Sequence, residues 1–172
     1  MAGSLIKIDE EIVSAAVASV TLTGIDSTYD VYMVKLNDVA PDTDTTVVRF
    51  RTTSSGTPNT TADYDRAFLR MRTDVAFQVR GGSNETYFDF AHNIGTGTSE
   101  TMNAIFYLFN FNNASEYSFV TVESTARTQD ATLMGNQGGH IHTVATACDG
   151  IQFFQSSGNI ASGTFTLYGL KK

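Results

Sequence analysis

Gly150-Ile-Gln-Phe-Phe-Gln-Ser-Ser-Gly-Asn-Ile-Ala-Ser-Gly-Thr-Phe-Thr-Leu-Tyr-Gly-Leu170 decides the fold. Ile151 and Phe153 alternate with Gln152, Ser156-Ser157-Gly158-Asn159 breaks the run, and Thr164, Thr166 and Tyr168 then alternate with Phe165 and Leu167. Period-two alternation of aromatic and β-branched residues is the signature of a strand with one buried face. Two such segments around a turn predict a hairpin that closes a β-sandwich.

The preceding chain reads the same way. Leu5-Ile6-Lys7-Ile8 is a short first strand or an extended arm, with residues 1–12 as the candidate arm. Tyr32, Val34 and Leu36 share one strand face, and Val48 and Phe50 alternate with Arg49 and Arg51. Ala62 to Arg72 fits a helical face or a strand, and its strand neighbours favour the strand. Val75–Val79 and Thr86–Phe90, around Gly81-Gly82-Ser83-Asn84, predict another hairpin. Ala104–Phe109 is almost continuously apolar, which predicts a strand covered on both sides. A loop rich in Gly and Asn is expected up to Gly138-Gly139. Eight to ten short strands separated by turn residues define an all-β chain, an antiparallel β-sandwich of jelly-roll-like type, in a single domain over 1–172.

Composition narrows the function. The 172 residues are 41 % hydrophobic, enough for one core, and carry a net charge of −7. That charge repels nucleic-acid phosphates, so a general nucleic-acid binder is not expected. One cysteine, Cys148, excludes an internal disulfide and reads as a small buried hydrophobe. Met1–Glu11 lacks the pattern of a signal peptide, and the mildly apolar run Ile12–Leu22 is too short and too polar to span a bilayer. No membrane association is expected, and the chain is expected to be made in a cytosol.

Few residues carry chemistry. His140 and His142 lie two apart, so on a strand both imidazoles face one way and form a weak candidate metal pair. A complete site needs a third and usually a fourth ligand, for which His92, Glu123 and Asp149 are only candidates. Two ordinary strand histidines is the simpler reading, and no cofactor is expected. Asp42-Thr43-Asp44 lacks the glycine and distal glutamate of a calcium loop. Asp63 and Asp65 form a carboxylate pair only if the fold sets them across a cleft. No serine sits in a nucleophile elbow, and no enzyme activity is expected. Arg49, Arg51, Arg70 and Arg72 read as solvated strand faces or as a contact for an acidic protein partner.

Asp26-Ser-Thr-Tyr-Asp-Val-Tyr32, Leu36 through Pro41-Asp-Thr-Asp44, the aliphatic-Phe-Arg strand, Tyr107-Leu-Phe-Asn110 and the closing stretch quoted above resemble a family of small β-rich proteins encoded by tailed bacteriophages, many from marine and cyanobacterial hosts. The resemblance implies a virion structural protein made in the bacterial cytoplasm, and it carries no catalytic positions over. The expected role is capsid decoration or cement on the major capsid protein, as a homo-oligomer such as a trimer. The alternative is a tail protein, a tail-fibre or receptor-binding module for host glycans. That alternative predicts exposed aromatic, Asn and Asp residues in the segments 54–61 and 130–139. Expected contact residues are Leu5, Ile6 and Ile8 of the arm, Arg49, Arg51, Arg70 and Arg72, and a surplus apolar face around Phe106 and Leu108.

Overall fold

The computed structural model describes residues 4–171, and every regular element among them is a strand. In chain order these are β1 (Ser4–Val13), β2 (Ser19–Thr23), β3 (Val31–Pro41), β4 (Thr46–Ser54), β5 (Thr57–Pro58), β6 (Tyr64–Arg72), β7 (Gln78–Glu85), β8 (Phe88–Ile94), β9 (Met102–Phe109), β10 (Ser118–Arg127), β11 (Leu133–His142), β12 (Gly150–Gln155) and β13 (Ile160–Lys171). Eight form one antiparallel sheet in the order β1-β13-β3-β9-β10-β11-β6-β7. The second sheet runs β2-β12-β4, with β8 on the other side of β4 and the two-residue β5 at its end.

Alternation in the sequence becomes two facing apolar layers. Tyr32, Val34 and Leu36 of β3, Phe106 and Leu108 of β9, and Phe165 and Leu167 of β13 point inward from the large sheet. Val48 and Phe50 of β4, Phe88 and Phe90 of β8, and Ile151 and Phe153 of β12 meet them from the small one. Phe50 and Phe106 touch across the gap with ring centroids 5.4 Å apart, and Phe153 and Phe165 at 5.6 Å. Each fully buried Phe contributes about 1.5–3 kcal/mol of transfer free energy, so these rings form the mechanical centre of the sandwich.

The closing stretch holds two strands, but not a hairpin. β12 lies in the small sheet between β2 and β4, and β13 in the large sheet between β1 and β3. The segment between them crosses from one sheet to the other. Asp42 holds that corner: its carboxylate accepts the Asn159 backbone N–H at 2.7 Å and the Asn159 side-chain amide at 2.8 Å. Gly158 has φ +67°, and a Cβ there would collide with Thr43 and Asp42. Local alternation is the same for a hairpin and for a corner between sheets, which is why the pattern pointed to the wrong pairing.

Three further expectations change. Leu5, Ile6 and Ile8 lie in β1, which pairs with β13 from Ser4↔Lys171 to Val13↔Gly163, so this segment is a sheet strand rather than a free arm. Residues 1–3 of the expected arm lie outside the described residues. The expected hairpin around Gly81–Asn84 does not form: those residues are inside β7, which pairs with β6, while β8 pairs with β4 in the other sheet. An edge strand tolerates such glycines, because one side makes no ladder. The Gly-Asn stretch before His140 is likewise strand β11. Gly138 must lie flat there, since a Cβ would come 2.3 Å from Phe68 Cβ and 2.5 Å from the Ala67 carbonyl oxygen. Within Ala62–Arg72, Tyr64–Arg72 forms strand β6, as its neighbours favoured.

Candidate functional site

The outer side of the eight-stranded sheet is an uncovered surface with exposed apolar residues. The register aligns Tyr168, Met33, Tyr107, Thr121, Gly139, Ala67 and Gly81 across seven strands. The next row on the same face holds Lys35, Ile105, Glu123, Gln137, Leu69 and Val79. Ile105 and Tyr107 are each 40 % exposed and Phe119 is 44 % exposed, so this strip is apolar and open. The small residues Gly139 and Ala67 leave a hollow of about 370 Å³ walled by Phe119 and Ile141. A second hollow, of about 390 Å³, is lined by Lys35, Asn37, Asn103, Ile105, Glu123 and Thr125.

This surface relocates the expected contacts. Phe106 and Leu108 are fully buried in the core and cannot touch a partner. The apolar surplus of β9 belongs to their neighbours Ile105 and Tyr107, and the strand is covered on one side only. Leu5 and Ile6 are exposed on β1, whereas Ile8 packs against the core.

The four arginines do not form one group. Arg49 and Arg51 project from the outer side of the small sheet. The Arg49 guanidinium stacks 3.9 Å from the Tyr87 ring centroid and bonds Asp89 at 2.8 Å. Arg51 stacks 4.5 Å from the Phe154 ring centroid and donates to the Thr86 carbonyl. Arg70 and Arg72 belong to β6 of the large sheet, and Arg72 is tied to Asp74 by two bonds of 2.9 and 2.7 Å.

The histidines face inward. His140 and His142 share a face of β11, as their spacing predicts, but both are buried. His140 Nε2 lies 3.3 Å from the Asp89 carbonyl oxygen, and burial pulls its pKa down to about 4. His142 stacks on Tyr64 with centroids 4.8 Å apart, and burial lowers its pKa as well. No cluster of three His, Cys, Asp or Glu side chains that could hold a metal occurs among the described residues.

One pairing escaped the sequence reading. Cys148 Sγ lies 4.0 Å from His142 Nδ1 and 3.8 Å from Ser118 Oγ, although 30 residues separate Cys148 from Ser118. A Cys–His pair for nucleophilic catalysis needs a lowered thiol pKa and access. Here burial raises the Cys148 thiol and lowers the imidazole, so both groups stay neutral. Tyr64, pushed up to about 12 by burial, completes the same polar seam through Thr52 and the Asn59 carbonyl.

The remaining carboxylates have structural work. Asp42 holds Asn159, Asp44 accepts Thr96 N–H and Oγ1–H at 2.8 and 2.9 Å, and Asp65 accepts the Asn84 N–H at 2.8 Å. No known protein family and no curated protein matches this chain.

Proposed function

We propose that the chain is a structural protein of a tailed-phage particle, a jelly-roll sandwich that decorates the coat lattice as a homo-oligomer. Its strand order supports the jelly-roll reading. The core strands run β1-β13-β3-β9 in one sheet and β2-β12-β4-β8 in the other, with consecutive strands mostly in opposite sheets. Two interleaved Greek keys give this order. The hairpins β6–β7 and β10–β11 widen only the first sheet.

The observation that carries the contact role is the uncovered strip Ile105, Tyr107 and Phe119 on the widened sheet. Apolar residues aligned on a flat face suit burial against a repeated neighbour. Lattice binding of this kind stabilises by mass action.

A second reading rests on the exposed aromatics. The segments 54–61 and 130–139 contain no aromatic residue. Tyr107 and Phe119 instead stand on the sheet face: Phe119 walls the hollow over Gly139 and Ala67, and Tyr107 lies one row from the hollow lined by Asn37, Asn103 and Glu123. That arrangement fits a module for host glycans. Quantitative mass spectrometry of purified particles separates the two. About one copy per coat subunit, or one per three, fits lattice decoration. A handful of copies per particle overturns it in favour of a tail or vertex position.

A further inference from the structure

Next to β8, the large sheet extends past the small one, and β6 and β7 form its margin. Their register sets Arg70 opposite Gln78 and Phe68 opposite Arg80. Arg70 Nε donates to Gln78 Oε1 at 3.1 Å, Arg70 Nη2 donates to the same oxygen, and Arg80 Nη2 donates to it at 3.0 Å. Two guanidinium groups therefore share one neutral acceptor.

Neighbouring arginines are neutralised: Arg66 reaches Glu85 and Asp89, and Arg72 reaches Asp74 and Asp130. Among the described residues, Arg70 and Arg80 have no carboxylate partner. His92 of β8 stands beside them, stacked on Phe68 with centroids 6.4 Å apart. Burial first, then Arg70, Arg80 and Arg66, keep its imidazole uncharged, while Asp89 acts the other way.

Like charges drawn to one amide oxygen repel each other. Arg70 Nη1 and Arg80 Nε and Nη1 bond no protein acceptor among the described residues. Guanidinium forks with free N–H groups match the oxygens of a tetrahedral anion, and an anion between them turns the repulsion into attraction. We propose that Arg70 and Arg80, spaced by Gln78, form a binding site for a tetrahedral oxyanion, a sulfate or phosphate group. The chain's net charge of −7 disfavours an extended polyanion track. The inference does not rest on the virion reading: Arg70 is an expected contact residue, but the site uses none of the strip Ile105, Tyr107 and Phe119 that carries the contact role.

The test is isothermal titration of the full chain at constant ionic strength, with inorganic sulfate, inorganic phosphate, a sugar sulfate and a sugar phosphate. Saturable binding of at least one is expected. It should weaken at least tenfold in Arg80→Gln and in Arg70→Gln, and stay unchanged in Arg127→Gln. Arg80 is exposed, so Arg80→Gln should fold even where Arg70→Gln does not. Preference among the four probes identifies the source of the group. Binding of none, or equal binding by wild type and Arg80→Gln, overturns the proposal.

Discussion

His140 Nε2 donates to the main-chain oxygen of Asp89 at 3.3 Å, while its Nδ1 is buried without a partner. The pairing spans the seam between β11 and β8; it favours the protonated ring, and burial outweighs it to hold the ring neutral. The folded pKa, about 4, lies below the unfolded value of 6.5, so the unfolded chain binds more protons between those values. His140 therefore contributes its full stability above pH 6.5 and loses it as the pH falls toward 4. The complete shift corresponds to about 3 kcal/mol. Urea unfolding at pH 7 and pH 4.5 should show a lower midpoint at pH 4.5, and His140→Phe should narrow that difference, the remainder coming from His92 and His142, whose pKa values burial lowers in the same direction. Equal midpoints for the wild type at both pH values would refute this.

Gly138 and Gly139 are neighbours with opposite surroundings. A Cβ on Gly138 would strike Phe68 and the Ala67 carbonyl, but one on Gly139 would meet nothing closer than 3.8 Å. Gly138→Ala should destabilise by about 1–3 kcal/mol through overpacking. Gly139→Ala should be neutral or slightly stabilising, because it restricts the unfolded chain. Denaturant midpoints of the two single variants decide the matter.

Phe106 and Tyr107 separate core from contact. Phe106 meets Phe90 at 4.9 Å, Phe50 at 5.4 Å and Phe153 at 5.5 Å. Phe106→Ala should cost about 3–5 kcal/mol and show as a lower Tm. Tyr107→Ala should leave the Tm of the isolated protein within a few degrees, and under the proposed decoration role it should weaken binding to the coat lattice. Unchanged assembly by Tyr107→Ala would remove the outer strip from the contact surface.

Cys148 is buried and its thiol is held protonated, so a disulfide-exchange reagent should label it at the rate of unfolding. Labelling in native buffer should be slow and should accelerate in urea in step with the loss of structure. Fast stoichiometric labelling of the native protein would show an opening that this packing does not contain.

The legible part of the fold was the part encoded by adjacent residues. Tyr32, Val34 and Leu36, or Val48 and Phe50 against Arg49 and Arg51, announce their buried faces in two-residue steps. Pairing was not legible, because alternation is identical whether Phe153 and Phe165 belong to one hairpin or to two sheets. Glycines misled where tertiary contacts overrode their turn preference: Gly138 serves Phe68, and Gly81 and Gly82 sit on an edge. Within the site, the His140–His142 spacing gave the shared face but not its direction. The Arg70–Gln78–Arg80 convergence needs the β6–β7 register, and the Cys148–His142 approach needs the loop that returns beneath β11.

The central positions of β12 and β13 bear on how the protein is made. A nascent chain that stops short of Gly150 leaves β2 and β4 apart, and one that stops short of Ile160 leaves β1 with no neighbour and one flank of β3 bare. At typical translation speeds the ribosome needs roughly 10–30 s for this length. Throughout that time β3-β9-β10-β11-β6-β7 and β4-β8 can pair, but β1 and β2 have no ladder partner and both sheets keep an open flank. Truncated products therefore expose sticky edges rather than forming a smaller stable domain, and holdase chaperones should govern the yield of this protein more strongly than its final stability does.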